Sequence, residues 1–303
     1  MNEYLSLAGA HTALVTPFSS GQFDEATFIK LIELQILAGI TGIVPVGSTG
    51  ESPTLSHSEQ LRLIELAVKT ASKKILVIAG TGSNSTAKTI ETTQEAERLG
   101  ADAAMIVLPY YNKPSPQGVY EHFKAIANSV KIPIVIYDAP GRCGISLTVP
   151  IALKLALDCP NIIGIKDCNA SVELIKELHS LLPSHFQLLS GDDIWTLPFL
   201  KVGAVGVISV ASNLIPSAIV KLVTSFQSGA LEIAQELHQN LSPLFQDLFI
   251  ETNPVPIKTA MASRGLIEEE MRLPLVGLTQ EHRGILLKRL ENHYYHFQKI
   301  DEL

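Results

Sequence analysis

Short apolar runs alternate with amphipathic stretches from the start of the chain to about residue 228. The runs Ala13–Thr16, Gly42–Gly47, Ile75–Gly80, Ala103–Pro109, Pro133–Tyr137, Ile162–Lys166, Phe186–Ser190 and Val205–Ser209 have the length and composition of strands. Short, mostly apolar runs of this kind suit strands covered on both faces, and the helical pattern after each marks a crossover, so parallel pairing is expected. Helix ends are legible between them. Ser56-His57-Ser58-Glu59 reads as a capping box, in which serine and glutamate each satisfy a backbone N–H that the first turn leaves unbonded. Ser115-Pro116 places a cap before a proline at the first helical position, and Gly100 and Gly203 offer left-handed helix stops.

Eight strand–helix units in roughly 230 residues predict an α/β fold of the (β/α)8 TIM-barrel type. A doubly wound open sheet is the competing architecture. It needs a glycine-rich nucleotide turn after the first strand, and Val15-Thr16-Pro17-Phe18 is not one. From Gly229 the alternation stops and only helical pattern remains, broken near Thr252-Asn253-Pro254 and Arg272-Leu273-Pro274. The expected division is a barrel over residues 1–228, carrying the chemistry, and an all-helical extension over 229–303.

The 303 residues are 46% hydrophobic and 17% charged, enough to fill a large core. A net charge of -7 without a basic stripe argues against nucleic acid as a partner. No apolar run approaches the ~20 residues that cross a bilayer, so no membrane association is expected. Met1-Asn2-Glu3-Tyr4 lacks the basic flank and apolar stretch of a signal peptide. Cys143, Cys159 and Cys168 show no paired spacing, which suits a reducing, cytoplasmic setting. The nine histidines form no strand-end cluster with carboxylates, and no metal or cofactor is expected. His293-Tyr294-Tyr295-His296 is closely spaced but falls in the helical tail, where packing or exposure is the plainer reading.

Barrel chemistry gathers at the carboxyl ends of strands. There Lys166 ends the apolar run Ile162-Ile163-Gly164-Ile165. A buried unpaired ammonium tends to shed its proton, and the neutral amine is a nucleophile for carbonyl carbon. Against that, the lysine could snorkel past the strand end or pair with Asp167. Gly47-Ser48-Thr49-Gly50-Glu51 follows a strand and precedes a capped helix, so its backbone N–H groups can face an anion. A simple tight turn reads equally well. Tyr137 can pass protons beside an imine or merely pack, and Arg142 can fork onto a carboxylate or form an ordinary surface pair.

Taken in order, Gly47-Ser48-Thr49-Gly50-Glu51, Pro109-Tyr110-Tyr111-Asn112-Lys113-Pro114, Tyr137-x-x-Pro140-x-Arg142, Gly164-Ile165-Lys166 and Gly191-Asp192-Asp193 carry a resemblance. The chain resembles the dihydrodipicolinate synthase branch of the pyruvate-dependent class I aldolase/lyase family over nearly its whole length. The resemblance implies a lyase in which Lys166 forms a Schiff base with pyruvate and the resulting enamine attacks L-aspartate 4-semialdehyde. The product, 4-hydroxy-tetrahydrodipicolinate, feeds diaminopimelate and lysine biosynthesis. It also implies that Tyr137, Ser48 and Tyr111 relay protons, with Tyr111 reaching in from a neighbouring subunit of a homotetramer built as a dimer of dimers. Thr49, Gly191 and the carbonyl of Ile208 are implied at the pyruvate site, and Arg142 at the carboxylate of the second substrate.

Several residues depart from the branch. Ser48 replaces its usual threonine, and Gly-Ser-Thr-Gly-Glu also resembles the sialic-acid lyase branch, which generally lacks an arginine at the place of Arg142. N-acetylneuraminate lyase and 2-keto-3-deoxy sugar-acid aldolase activities are therefore the alternatives, with a non-catalytic small-acid-binding barrel more remote. In members inhibited by lysine, the effector binds at the dimer interface near positions matching Ser52, Pro53, His57, Gln60, Asn84, Lys88 and Tyr110. Lys88 and Gln60 here replace an acidic residue and a histidine, so weak or absent inhibition is expected.

Overall fold

The computed structural model describes residues 5–301, with side chains described through Glu291. Met1–Tyr4 and the side chains of His293–His296 lie outside the described residues. Strands β1 (Gly9–Ala13), β2 (Gly42–Val44), β3 (Leu76–Gly80), β4 (Ala103–Val107), β5 (Ile134–Asp138), β6 (Ile162–Asp167), β7 (Gln187–Ser190) and β8 (Gly206–Ser209) pair in parallel with their sequence neighbours. β8 returns to β1 and closes a TIM barrel.

The first strand lies upstream of the expected Ala13–Thr16. Its polar His11 and Thr12 are fully buried, with His11 Nε2 against the Leu7 carbonyl and the Thr12 hydroxyl donating to Gln35, and their polarity disguises the segment as a loop. Leu14, Val15 and Thr16 are buried as expected but lie past the end of β1; Leu14 N–H still donates to the Val44 carbonyl at 3.1 Å. Val15 N–H donates to Asn213 Oδ1 and the Thr16 hydroxyl to the Gly50 carbonyl. The second strand likewise stops at Val44, before the expected Gly47. A short hairpin, Phe18–Ser19 with Gln22–Phe23, follows β1 and was not legible as strand.

Helices α1 (Glu25–Leu37), α2 (His57–Ala71), α3 (Thr86–Leu99), α4 (Pro116–Ser129), α5 (Val149–Asp158), α6 (Val172–Leu181), α7 (Thr196–Leu200) and α8 (Pro216–Gln227) join the strands. Ser56 and Glu59 close the capping box at α2, and the Ser115 hydroxyl accepts from Gly118 N–H at α4. Such caps contribute about 1 kcal/mol each. Gly100 follows the last residue of α3 with φ of 91°, and Gly203, shortly after α7, is likewise left-handed with φ of 111°. The extension consists of α9 (Leu231–Asp247), α10 (Val255–Ser263) and α11 (Gln280–Asp301). α9 packs along α8, and α10 meets the turn Ala211–Asn213 that leaves β8. That contact brings the extension to the barrel mouth.

Candidate active site

All residues of β6 are buried, including Lys166, whose side chain is 5% exposed. Register pairs Lys166 with Tyr137 on β5, which turns the two side chains to the same face at the same height. Lys166 Nζ stands 4.1 Å from the centroid of the Tyr137 ring. Among the described residues no carboxylate forms an ion pair with it. Burial therefore dominates and holds the ammonium well below its ordinary pKa. The Arg142 cation acts in the same direction, while Cys168, Asp193 and Asp192 oppose it. Burial pushes the Tyr137 phenol upward, so it stays protonated, and its hydroxyl meets Ser48 and Cys168. The Cys168 thiol is itself pushed up to about 12 by burial. An amine whose proton is loosened by burial, beside a protonated phenol and a serine hydroxyl, is a set able to attack a carbonyl and move the protons that step requires.

Gly191 makes room for this group. A Cβ there would stand 2.3 Å from Cys168 Sγ and 3.0 Å from Lys166 Cε. Next to it, Asp193 is buried and accepts from the N–H groups of Val210 and Ala211 at 3.0 and 2.9 Å. It thereby ties the end of β7 to the end of β8, where Ile208 lies fully buried. Behind Tyr137 and Lys166, Asn169 Nδ2 donates to both Asp138 and Asp167 at 2.7 Å. The two catalytic-strand candidates are thus clasped at their outer side.

The loop after β2 is turned by Gly50 N–H to Gly47 O and Glu51 N–H to Ser48 O, both 3.1 Å. Thr49 is buried, and its hydroxyl accepts from Asn253 Nδ2 at 3.0 Å. The Asn253 carbonyl in turn accepts from Arg142 Nη2 at 2.9 Å. Ser48, Arg142, Asn253 and Tyr110 line a cavity of about 740 Å³. Ser48 links that cavity to Tyr137.

The structure thus brings together Lys166, Tyr137, Ser48 and Gly191, and joins Thr49 to Arg142 through Asn253. Tyr111 is not brought to them within one chain. It stands 90% exposed after β4 with a left-handed backbone, φ 70°. Sequence reasoning missed Asn253, registering Thr252-Asn253-Pro254 only as a break in the helical tail. It also missed Lys258, whose ammonium meets Glu51 at 2.6 Å with both side chains fully buried. Only the chain's return to the barrel mouth reveals either. Cys168 had a signal, since it follows Lys166 by two residues, the period that keeps side chains on one face of a strand. Among the described residues, no group of three or more His, Cys, Asp or Glu side chains is arranged to hold a metal, and no helix is long and apolar enough to cross a membrane.

The model of the dihydrodipicolinate synthetase family matches residues 6–293. A 4-hydroxy-tetrahydrodipicolinate synthase from Endomicrobium trichonymphae is 46% identical, over 94% of this chain and 98% of the relative. The structure of the 4-hydroxy-tetrahydrodipicolinate synthase of Methylacidiphilum fumariolicum SolV superposes with a TM-score of 0.96 at 47% identity, covering 98% and 99% of the two chains. A chloride-inhibited dihydrodipicolinate synthase from Acinetobacter baumannii, solved in complex with pyruvate, is 40% identical with a TM-score of 0.92, covering 95% and 99%.

Proposed function

The chain belongs to the dihydrodipicolinate synthetase family, and from that premise we propose that it is a lyase condensing pyruvate with L-aspartate 4-semialdehyde to 4-hydroxy-tetrahydrodipicolinate. The observation that carries the reading is Lys166, a buried amine that no carboxylate among the described residues pairs with, beside the protonated Tyr137. Its nitrogen adds to the pyruvate carbonyl and water leaves, giving an imine. The imine withdraws electrons from the methyl group, which loses a proton to become an enamine nucleophile. Tyr137 and Ser48 handle the protons of these steps. Thr49 holds the pyruvate carboxylate, with Gly191 and the Ile208 carbonyl bordering the site. No metal or separate cofactor enters the scheme.

Arg142 receives the carboxylate of the semialdehyde. Its guanidinium is exposed at the cavity and steadied by the Asn253 carbonyl, which suits a group that must meet an incoming anion. Ser48 alone would also fit an N-acetylneuraminate lyase; Arg142 favours the synthase. Tyr111 completes the proton relay from a neighbouring subunit of a homotetramer, which accounts for an aromatic side chain left 90% exposed.

Borohydride added with pyruvate should leave a stable adduct on the peptide containing Lys166, read by mass spectrometry. An unmodified chain would refute the imine. Replacing Arg142→Ala should lower kcat/KM for the semialdehyde by about 10- to 100-fold while pyruvate trapping persists. Unchanged semialdehyde kinetics, or robust cleavage of N-acetylneuraminate by the parent, would move the chain to another branch.

A further inference from the structure

We propose that Glu51 and Lys258 act as a positioning pair, holding the Ser48–Thr49 loop in its pyruvate-binding shape from the helical extension. The inference rests on the function proposed above and adds to it a role for residues that touch no substrate. Glu51 closes the loop in a left-handed conformation, φ 55°, which a residue with a side chain rarely adopts unless its surroundings hold it there. The surroundings here do so at several points. Glu51 Oε1 accepts from Lys258 Nζ at 2.6 Å, and Oε2 accepts from the Arg272 backbone N–H at 3.0 Å. Lys258 Nζ also donates to the Thr16 carbonyl at 2.9 Å and rests 4.4 Å from the Phe18 ring centroid. Thr16 in turn donates its hydroxyl to the Gly50 carbonyl at 2.7 Å.

The same stretch of chain that supplies Lys258 supplies Asn253, whose amide meets the Thr49 hydroxyl. Residues 253–258 therefore grip the loop twice, at Thr49 and at Glu51. A pair serving stability alone has no reason to sit on the loop that presents Ser48 and Thr49. Removing the grip should let those hydroxyls drift from the geometry that binds pyruvate, and a misplacement near 1 Å costs on the order of 100-fold in favourable cases.

The test measures the pyruvate concentration that half-saturates borohydride trapping, together with KM for the semialdehyde. Glu51→Gln keeps the side chain's shape but removes the carboxylate that satisfies both donors. Glu51→Gln combined with Lys258→Met removes both charges and keeps the volume. In whichever variant retains the parent's circular dichroism, the pyruvate requirement should rise about tenfold or more, with the semialdehyde KM changed less than about twofold. A folded variant whose pyruvate requirement stays within about twofold of the parent overturns the proposal. Loss of fold in both variants assigns the pair to stability and overturns it too. A parent that traps no pyruvate sinks the functional reading instead, and that result is seen before any variant is made.

Discussion

Lys166 and Lys258 are both buried lysines at the mouth of one barrel, and they have opposite surroundings. Lys258 is enclosed with the Glu51 carboxylate at 2.6 Å and the Thr16 carbonyl at 2.9 Å. Lys166 has the face of Tyr137 and, among the described residues, no ion-pairing carboxylate, with the Arg142 cation further disfavouring its charged form. Burial lowers the pKa of each and outweighs the opposing groups in both, but among the described residues only Lys258 has a carboxylate in direct contact. A buried cation with a fixed counter-ion is a clamp. A buried cation without one becomes a base or a nucleophile. The two therefore separate under the same substitution: loss of Lys166 costs turnover with the fold kept, whereas loss of Lys258 costs stability along with the grip on the Ser48–Thr49 loop.

The largest effect expected is on turnover. Lys166→Met should abolish borohydride trapping of pyruvate and lower turnover by at least about 1,000-fold. Its stability should stay within about 1 kcal/mol of the parent or exceed it, because an uncompensated amine has been replaced by an apolar group of similar length. Lys258→Met should do the converse to the fold. It strands the Glu51 carboxylate in a closed site and should cost about 3–5 kcal/mol in urea unfolding. Equal stability losses in the two variants would erase the distinction between clamp and nucleophile.

His11 extends the comparison to a third buried base. It is fully buried in β1, its Nε2 meets the Leu7 carbonyl at 2.9 Å, and Nδ1 has no hydrogen-bond partner among the described residues. Burial lowers its pKa from 6.5 to about 4. The folded state thus holds the neutral ring, while the unfolded chain takes up a proton at higher pH. The resulting stability is complete above about pH 6.5 and is lost as pH falls toward 4, to the extent of about 3 kcal/mol. Comparing urea unfolding of the parent and His11→Gln at pH 7 and pH 4.5 reads this directly. The parent should lose more stability on acidification than the variant, and parallel losses would show that His11 contributes nothing to acid sensitivity.

These three residues also show where sequence legibility ended. Lys166 stood out because a charge at the end of an apolar strand conflicts with its surroundings, and the barrel rule said which end to inspect. Seven strands were found near their places because buried parallel strands are continuous apolar runs. β1 was misplaced because it buries the polar side chains of His11 and Thr12, and the partners of His11 Nε2 and the Thr12 hydroxyl, Leu7 and Gln35, are ones that no local pattern announces. Lys258 and Asn253 were invisible for the same reason. Their partners Glu51 and Thr49 lie more than two hundred residues upstream, and only the return of the extension to the mouth brings them together.

A fourth lysine sharpens the comparison through the smallest effect of all. Lys88 is exposed in the first turn of α3 and lines the same cavity as His57 and Gln60. It is neither clamp nor nucleophile, but a solvated charge at the N-terminal end of a helix, where the macrodipole is also positive. An L-lysine molecule settling there would bring its ammonium toward a cation. Glu91, three residues on and lining the same cavity, only balances that charge and leaves no net attraction. Gln60 is already engaged, donating its amide to the Ser52 carbonyl at 3.0 Å. L-lysine titrated at saturating pyruvate should therefore inhibit weakly or not at all. Lys88→Glu should increase the inhibition, since it restores a carboxylate to face the ligand's ammonium. Strong inhibition of the parent at sub-millimolar L-lysine would show that Lys88 turns away into solvent and that its charge does not govern the cleft.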